Sequence, residues 1–346
     1  MENKIIGGLK DTPKDKRDFS YSKKFGSISP LELPKEFYVS QPLEIKNQFG
    51  SDFCVGFGTA SVREDTELVI LDPYFFWSQM AKIRGNWKEW GADLRLAAKT
   101  STKIGIVKKQ DQLNTLENKD RDFLANWENY PEELDEKAKE HIAMSYFWVD
   151  GSYDNFDNIR STLYLNAKEK RSVLIGAEWH QEWSDSKNGI IDDVNMQSLF
   201  FGHAFKLYGW KEINNKPYLV AQLSNGKGFG DNGLFYFSRN VINSLAFRYG
   251  AITFRDFDPE LYKKIEWTIL QILANYIAIL KKMIEGLIAK KQKPIEEIPM
   301  PPEPIKISKL RDWAMAIEAE ESSKPPKSTD RNKRNNSPGN LRASEL

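Results

Sequence analysis

The stretch Ile-Lys-Asn-Gln-Phe-Gly-Ser-Asp-Phe-Cys-Val-Gly-Phe-Gly-Thr-Ala occupies residues 45–60 and contains the only cysteine of the chain, Cys54. Its first half predicts a glycine-containing loop, and a helix is predicted to follow over residues 57–69. The dipole and the unpaired N–H groups at a helix N-terminus stabilise a thiolate over a thiol. The pattern therefore indicates a nucleophilic cysteine at neutral pH, with a buried and inert thiol as the alternative.

A nucleophilic thiol needs an imidazole partner, and the chain has three histidines, His141, His180 and His203. His141 lies in a charged stretch that is predicted to be helical, and His180 lies between Trp179 and Gln181. His203 opens a predicted strand within Phe-Gly-His-Ala-Phe, where a reactive side chain is well placed. We expect His203 to be the partner, with a satisfied core histidine as the alternative.

Several further segments complete an ordered pattern along the chain. They are Gly8–Asp18, Leu33-Pro34 with Pro42-Leu43, Asn47-Gln48, Gly91–Arg95, Gly202–Ala204, Lys216–Val220 and Gly230–Phe235. Together they resemble papain-like cysteine peptidases, in particular the bacterial and phage type that lacks a long inhibitory propeptide. The resemblance covers about residues 7–245, and it depends on the order of the segments, since each one alone is a weak signal.

The resemblance implies a role for each matching residue. Cys54 would attack the scissile carbonyl, His203 would pair with the thiolate, and Gln48 with the Cys54 backbone N–H would hold the oxyanion. The spacing of Cys54 and His203 falls in the roughly 130–150 residues usual for such enzymes. The substrate cleft would be lined by Gly91, Ala92, Asp93 and Gly202. The alternative for Gln48 is a solvated loop amide.

Several positions depart from the family pattern. Leu223 stands where the resemblance places the asparagine that orients the histidine, so the third triad member is missing, and Asn225 is a weak substitute two residues further on. Asp52 and Phe53 replace Gly-Ser, and a negative charge at Asp52 disfavours a nearby thiolate. The catalytic activity could therefore be weakened or lost.

Composition excludes several classes of protein. The chain has 346 residues, 40% of them hydrophobic and 29% charged, which is typical of a folded protein. Its formal net charge of +1 gives no reason to expect nucleic acid as a partner. A single cysteine allows no internal disulfide or thiolate zinc cluster. No metal-ligand motif occurs, and we predict neither metal nor organic cofactor.

The start of the chain shows no Sec-type signal, so we expect synthesis in the cytoplasm. The most apolar window, Trp267–Leu280, is shorter than the roughly 20 residues that span a bilayer. No membrane span is predicted. The resemblance leaves open an association with a phage particle or a cell wall.

The sequence predicts five parts. Residues 1–32 form an N-terminal arm on the domain surface, and residues 33–258 form the peptidase domain, with helices first and strands later, as in an α+β fold. Residues 259–292 form a long amphipathic helix, which either packs on its own domain or self-associates through residues 259–291. A proline-rich linker covers residues 293–307. Residues 308–346 form a short helix and a disordered tail that resembles the opening of a lysozyme-like or transglycosylase module.

The leading hypothesis is a papain-like, two-lobed fold that acts as a cysteine endopeptidase on peptide or protein substrates through a thioester at Cys54. The alternative is a catalytically impaired papain-like module that binds peptides or serves as a phage or cell-wall structural protein. The residues Cys54, His203 and Gln48 favour the first hypothesis. Leu223 and Asp52 favour the second.

Overall fold

The computed structural model describes residues 7–12, 15, 18–256 and 276–281. The chain divides into two units, Met1–Pro259 and Glu260–Leu346, and the fold described below is that of the first. Residues 276–281 are helical and exposed. The rest of the predicted helix 259–292, with its proposed self-association, lies outside the described residues, as do the linker 293–307 and the tail 308–346.

Eight α-helices are present in the described part of the first unit, and most precede the main strands. They are α1 (Tyr21–Phe25), α2 (Cys54–Glu67), α3 (Pro73–Arg84), α4 (Leu94–Lys103), α5 (Arg121–Ala125), α6 (Glu133–Lys139), α7 (Asn155–Leu165) and α8 (Arg239–Ile242). Short 3₁₀ helices cover Pro30–Glu32, Lys109–Asp111, Trp127–Asn129, Ala167–Glu169, Gln181–Asp185 and Leu245–Phe247.

The helix boundaries follow local capping chemistry. The Asp72 carboxylate accepts the Phe75 N–H at 2.6 Å and Pro73 occupies the first helical position, so a side-chain cap and a proline set the start of α3. Helix α2 begins three residues earlier than predicted, at Cys54 itself, without a side-chain cap from Phe53. The thiol therefore sits on the first residue of the helix.

The strands form one mixed sheet of eight strands. They are β1 (Phe37–Tyr38), β2 (Ser145–Trp148), β3 (Val173–His180), β4 (Ile190–Ile191), β5 (Phe200–Ile213), β6 (Lys216–Gln222), β7 (Leu234–Ser238) and β8 (Ala251–Arg255). The sheet order is β2-β8-β3-β5-β6-β7-β4, and β1 pairs with β5. All pairs are antiparallel except β4 with β7. The α+β class predicted from the sequence is confirmed.

The fold contains two main hydrophobic cores, one in its helical half and one in its sheet half. The core of the helical half contains Phe53, Cys54, Phe57, Trp77 and Leu94. The core of the sheet half contains Trp179, Phe205, Trp210, Leu223 and Phe237. Burial of these aromatic and aliphatic side chains is the main source of stability in both halves.

Helix α2 packs directly on strand β5. A Cβ at Gly58 would lie 2.8 Å from Leu174 Cδ1 and 3.3 Å from the Ala204 carbonyl oxygen, so glycine permits this close approach. The buried Lys206 ammonium pairs with Asp65 on α2 at 2.5 Å, and Lys46 pairs with Glu64 at 2.6 Å. Since an unpaired buried charge is strongly unfavourable, these pairs fix α2 against β5 and against the loop before it.

Candidate active site

Cys54 is fully buried in this structure, although it begins a helix. Burial raises the pKa of the thiol to about 11, outweighing the backbone N–H groups of Gly8, Ala204 and Val55, which lower it. The sequence-based expectation of a lowered pKa is therefore wrong for this state of the protein. The physical reason is that the chain's own N-terminal arm covers the sulfur.

The arm, residues 7–12, lies in the cleft between the two halves of the site. The Gly8 N–H donates to Cys54 Sγ at 3.3 Å. On one wall, Ala92 N–H donates to the Gly8 carbonyl at 2.7 Å and Lys10 N–H donates to the Ala92 carbonyl at 2.9 Å. On the other, Leu9 N–H donates to the Gly202 carbonyl at 3.0 Å. The arm thus binds both walls as an extended peptide.

Glycines and one apolar pocket make this fit possible. A Cβ at Gly202 would lie 2.1 Å from the Leu9 carbonyl oxygen, and a Cβ at Gly8 would lie 2.0 Å from the Asp52 carbonyl oxygen. The Leu9 side chain is buried against Gly176, where a Cβ would lie 2.6 Å from Leu9 Cδ2 and 2.8 Å from Tyr249 Cβ. The pocket is therefore shaped for a branched aliphatic side chain.

Ion pairs hold the arm on either side of this pocket. Lys10 pairs with Glu89 at 2.5 Å on one wall, and Asp11 pairs with Arg248 at 3.0 Å on the other. Further along, Arg95 binds both carboxylate oxygens of Asp18, at 2.5 and 2.6 Å. The Arg95 pair is mostly buried and bidentate, so it is the strongest of these anchors.

His203 lies on β5 opposite Ala177 and is fully buried. Its ring is surrounded by Trp179, Phe205 and Phe201, with centroids 5.6, 6.0 and 6.3 Å away. Burial lowers the pKa of the imidazole to about 3, and the nearby side chain of Asn225 acts in the opposite direction. Among the described residues, neither ring nitrogen has a hydrogen-bond partner.

The structure therefore brings Cys54 and His203 to the same end of the cleft without joining them by a hydrogen bond. Their connection runs through backbone: the Ala204 N–H, next to His203, contacts the thiol, and Leu9, next to Gly8, contacts Gly202. With the thiol pKa raised and the imidazole pKa lowered, both groups are neutral at pH 7. The expected thiolate–imidazolium pair is absent from this arm-covered state.

Gln48 is fully buried in the loop before Cys54. Its side-chain N–H donates to the Ser51 carbonyl at 2.6 Å, and its Oε1 accepts the Ser224 hydroxyl at 2.7 Å. Its backbone N–H donates to the Ser224 carbonyl at 2.7 Å. Gln48 is therefore not a solvated loop amide, since it links the Cys54 loop to the segment after β6.

That segment contains Leu223 and Asn225. Leu223 is buried in the sheet core and cannot bind a ring N–H. Asn225 is nearly buried, its backbone forms a bridge with Asn47, and its Oδ1 has no hydrogen-bond partner among the described residues. The amide beside the His203 ring therefore belongs to Asn225, two residues beyond the position that the family pattern predicts.

Two other predicted site residues have additional structural roles. Asp93 caps α4, accepting the Leu96 N–H at 2.9 Å, whereas Gly91, Ala92 and Gly202 contact the arm or approach it closely. Asp52 raises the Cys54 pKa, as its position predicts, but it is paired with Arg121. No sequence pattern points to Arg121, because it lies far from Cys54 along the chain.

The described residues contain no group of three or more His, Cys, Asp or Glu side chains that could hold a metal. No helix in the same part of the chain is long and apolar enough to cross a membrane. Both results concern only the residues that the structure describes.

Residues 97–252 match the sequence model described as "Papain family cysteine protease". This match includes His203 but begins after Gln48 and Cys54. No curated protein matches the chain in sequence. Residues 97–252 are thus similar to papain-family cysteine proteases.

Solved structures agree on the fold. Xylellain, a cysteine protease from Xylella fastidiosa, has a TM-score of 0.61 and 17% identity, covering 73% of this chain and 97% of that chain. ProCathepsin B S9 from Trypanosoma congolense has a TM-score of 0.55 and 16% identity, covering 72% of this chain and 86% of that chain. The predicted papain-like fold is confirmed.

Proposed function

We propose that this chain is a cysteine-type endopeptidase in which Cys54 forms a covalent acyl-enzyme. The observation that carries the proposal is the arm: an extended backbone binds both walls of the cleft and places an N–H on Cys54 Sγ at 3.3 Å. A cleft that holds one extended peptide at a thiol has the shape needed to hold a peptide substrate there. The papain-family match to residues 97–252 supports the same activity.

The proposed reaction has two steps. In the first, Cys54 transfers its proton to His203 and the sulfur attacks the scissile carbonyl carbon, after which the C–N bond breaks and His203 protonates the leaving amine. In the second, His203 takes a proton from water as the water oxygen attacks the thioester carbonyl. The C–S bond then breaks, the carboxylic acid leaves, and His203 returns the proton to the sulfur. Gln48 and the Cys54 backbone N–H are the proposed oxyanion donors.

The arm must leave the cleft before this chemistry can begin. Its removal exposes Cys54 and His203 to water and removes the burial that raises the thiol pKa and lowers the imidazole pKa. We propose that Asn225 then faces the His203 ring in the place of the missing triad asparagine. The activity depends on this substitute because Leu223 has no acceptor.

A second candidate is a catalytically impaired module that binds peptides at the same cleft, as a structural part of a phage particle or cell wall. The observation that favours it is the unpaired His203 ring together with Leu223. In this case the cleft still accepts an extended peptide, but no thioester forms.

Product analysis and covalent labelling of Cys54 separate the two candidates. The full chain, and variants with Cys54→Ala and His203→Ala, are incubated with a peptide-library substrate and a peptide acyloxymethyl ketone, and adducts are located by mass spectrometry. The peptidase predicts product peptides and an adduct on Cys54 that both variants lose, whereas a His141→Ala control retains them. If neither products nor adducts form while the peptide still binds, the peptidase proposal is wrong and the chain is a peptide-binding module.

A further inference from the structure

Asp52 lies two residues before Cys54, and its carboxylate is fully buried. Its hydrogen-bond partners indicate a structural role and not a role in acid–base chemistry. Arg121 donates to Asp52 through Nε at 3.0 Å and through Nη2 at 2.9 Å, forming a two-point ion pair. The Gly91 N–H donates to the same carboxylate at 2.7 Å. Asp52 therefore connects the Cys54 loop to the cleft wall.

Arg121 also makes several contacts besides its ion pair with Asp52. Its guanidinium lies 5.6 Å from the Phe53 ring and 5.8 Å from the Trp90 ring, within range of a cation–π contact with each. It also donates to the carbonyls of Trp87 at 3.0 Å and of Glu89 at 3.2 Å. One side chain thus ties the segment 87–91 to Asp52.

The end of that segment is the edge that binds peptide backbone. Gly91 has a φ of +73°, a conformation that favours glycine, and a Cβ there would lie 2.3 Å from the Gly8 carbonyl oxygen. This conformation directs its N–H to Asp52. The next residue, Ala92, exchanges two backbone hydrogen bonds with the arm, at 2.7 and 2.9 Å.

We propose that Asp52 and Arg121 are positioning residues that fix the Gly91–Ala92 edge against the Cys54 loop, so that an extended peptide binds at a set distance from the thiol. The peptide's role as a substrate rests on the proposed function, but the positioning does not. The hydrogen bonds described above join the pair to each other and to the backbone of residues 87–91, so the pair acts through the cleft wall and the loop that carries Cys54.

The pair also explains why a negative charge lies so close to a nucleophile. Asp52 raises the Cys54 pKa, which works against thiolate formation. An asparagine would still accept the Gly91 N–H, but it would lose the ionic two-point bond to Arg121. The arrangement therefore raises the thiol pKa to some extent but holds the cleft wall in place, and Arg121 partly neutralises the charge of Asp52.

Two variants of the full chain, Asp52→Asn and Arg121→Gln, test the proposal by amide hydrogen exchange. Both break the ion pair, and we expect exchange at Gly91 and Ala92 to become about tenfold faster or more, since charged hydrogen bonds in buried positions are the strong ones. Exchange in the β6–β7 hairpin should stay unchanged. Asp122→Asn is the matched control, because Asp122 also contacts Arg121, at 3.1 Å, but is exposed.

Iodoacetamide labelling of Cys54 against pH gives a second readout, which loss of structure alone would not produce. Asp52→Asn leaves an unpaired cation near the thiol and should lower the pH midpoint of labelling. Arg121→Gln leaves an unpaired anion and should raise it. If Arg121→Gln does not fold, Arg121→Lys should keep the midpoint while exchange at the edge still rises.

Unchanged exchange at Gly91 and Ala92 in both variants would overturn the proposal, and so would equally faster exchange throughout the domain. Midpoints that move in the same direction would also refute it. None of these measurements requires hydrolysis, so a chain without peptidase activity can still confirm the positioning role. In an active chain, Arg121→Lys should raise KM and leave kcat nearly unchanged.

Discussion

Shortening the arm residue Leu9 to alanine should open the cleft. The Leu9 side chain is only 7% exposed in its pocket against Gly176 and Tyr249. Burial of a leucine side chain contributes about 1.5–3 kcal/mol. Since about 1.4 kcal/mol corresponds to a tenfold change in an equilibrium constant, the open fraction should rise by roughly ten- to a hundredfold.

The assay is the rate at which iodoacetamide labels Cys54 at pH 7 under native conditions. The reagent cannot reach a fully buried sulfur, so the labelling rate is proportional to the open fraction when opening and closing are fast. Leu9→Ala should therefore raise the rate by the same ten- to a hundredfold. Leu31→Ala is the matched control, because Leu31 lies in the same N-terminal region but is 97% exposed.

Two results would refute this reasoning. Equal labelling rates in Leu9→Ala and the native chain would mean that the Leu9 pocket does not hold the arm in place. An equal increase in both Leu9→Ala and Leu31→Ala would mean that labelling follows general unfolding. A modest fall in the thermal unfolding midpoint of Leu9→Ala should accompany the expected result, because the same roughly 1.5–3 kcal/mol is lost from the closed folded state.

Three further outcomes are expected. The free energy of unfolding of the native chain should fall as the pH falls from 6.5 towards 3, because His203 is protonated in the unfolded chain but not in the folded chain, where its pKa is about 3. Urea titrations of His203→Gln should show a smaller fall over the same pH range. Asp65→Asn should lower the free energy of unfolding by about 3–5 kcal/mol, since it leaves Lys206 charged and buried. A double variant, Asp65→Leu with Lys206→Met, should lose less, and an equal loss of unfolding free energy in both variants would contradict this reasoning. Leu223→Asn should speed acyl-enzyme formation in a chain whose arm carries Leu9→Ala, as measured by single-turnover kinetics, and an unchanged rate would show that Asn225 already orients His203.

The sequence predicts those features that depend on local chemistry. An aspartate followed by proline at residues 72–73 predicts a helix start, and the apolar alternation of residues 234–238 predicts a strand. Helix α3 and strand β7 lie there, because capping and alternation are short-range properties. The sequence places the start of α2 three residues too late, because no capping side chain marks it. The fold class follows from the order of helices and strands.

The state of the candidate site depends on contacts between distant segments, which no local pattern reveals. The helix position of Cys54 predicts a lowered pKa, but Gly8 covers the sulfur, so the pKa is raised. Asp52 is predicted to disfavour the thiolate, and it does raise the Cys54 pKa, but its ion pair with Arg121 cannot be predicted from the sequence. In both cases the sequence identifies the residue, and only the three-dimensional structure identifies its partner.

The two adjacent glycines of the arm have a consequence for competition between ligands. A Cβ at Gly7 would lie 2.0 Å from the Gly202 carbonyl oxygen, as close as a Cβ at Gly8 would lie to the Asp52 carbonyl oxygen. Any peptide with side chains at these two positions must widen the gap before it can follow the same path. The arm is also tethered, and short tethers give effective concentrations in the millimolar range. A free peptide must therefore compensate through contacts elsewhere along the cleft, so weakly bound peptides are rejected before they reach the thiol.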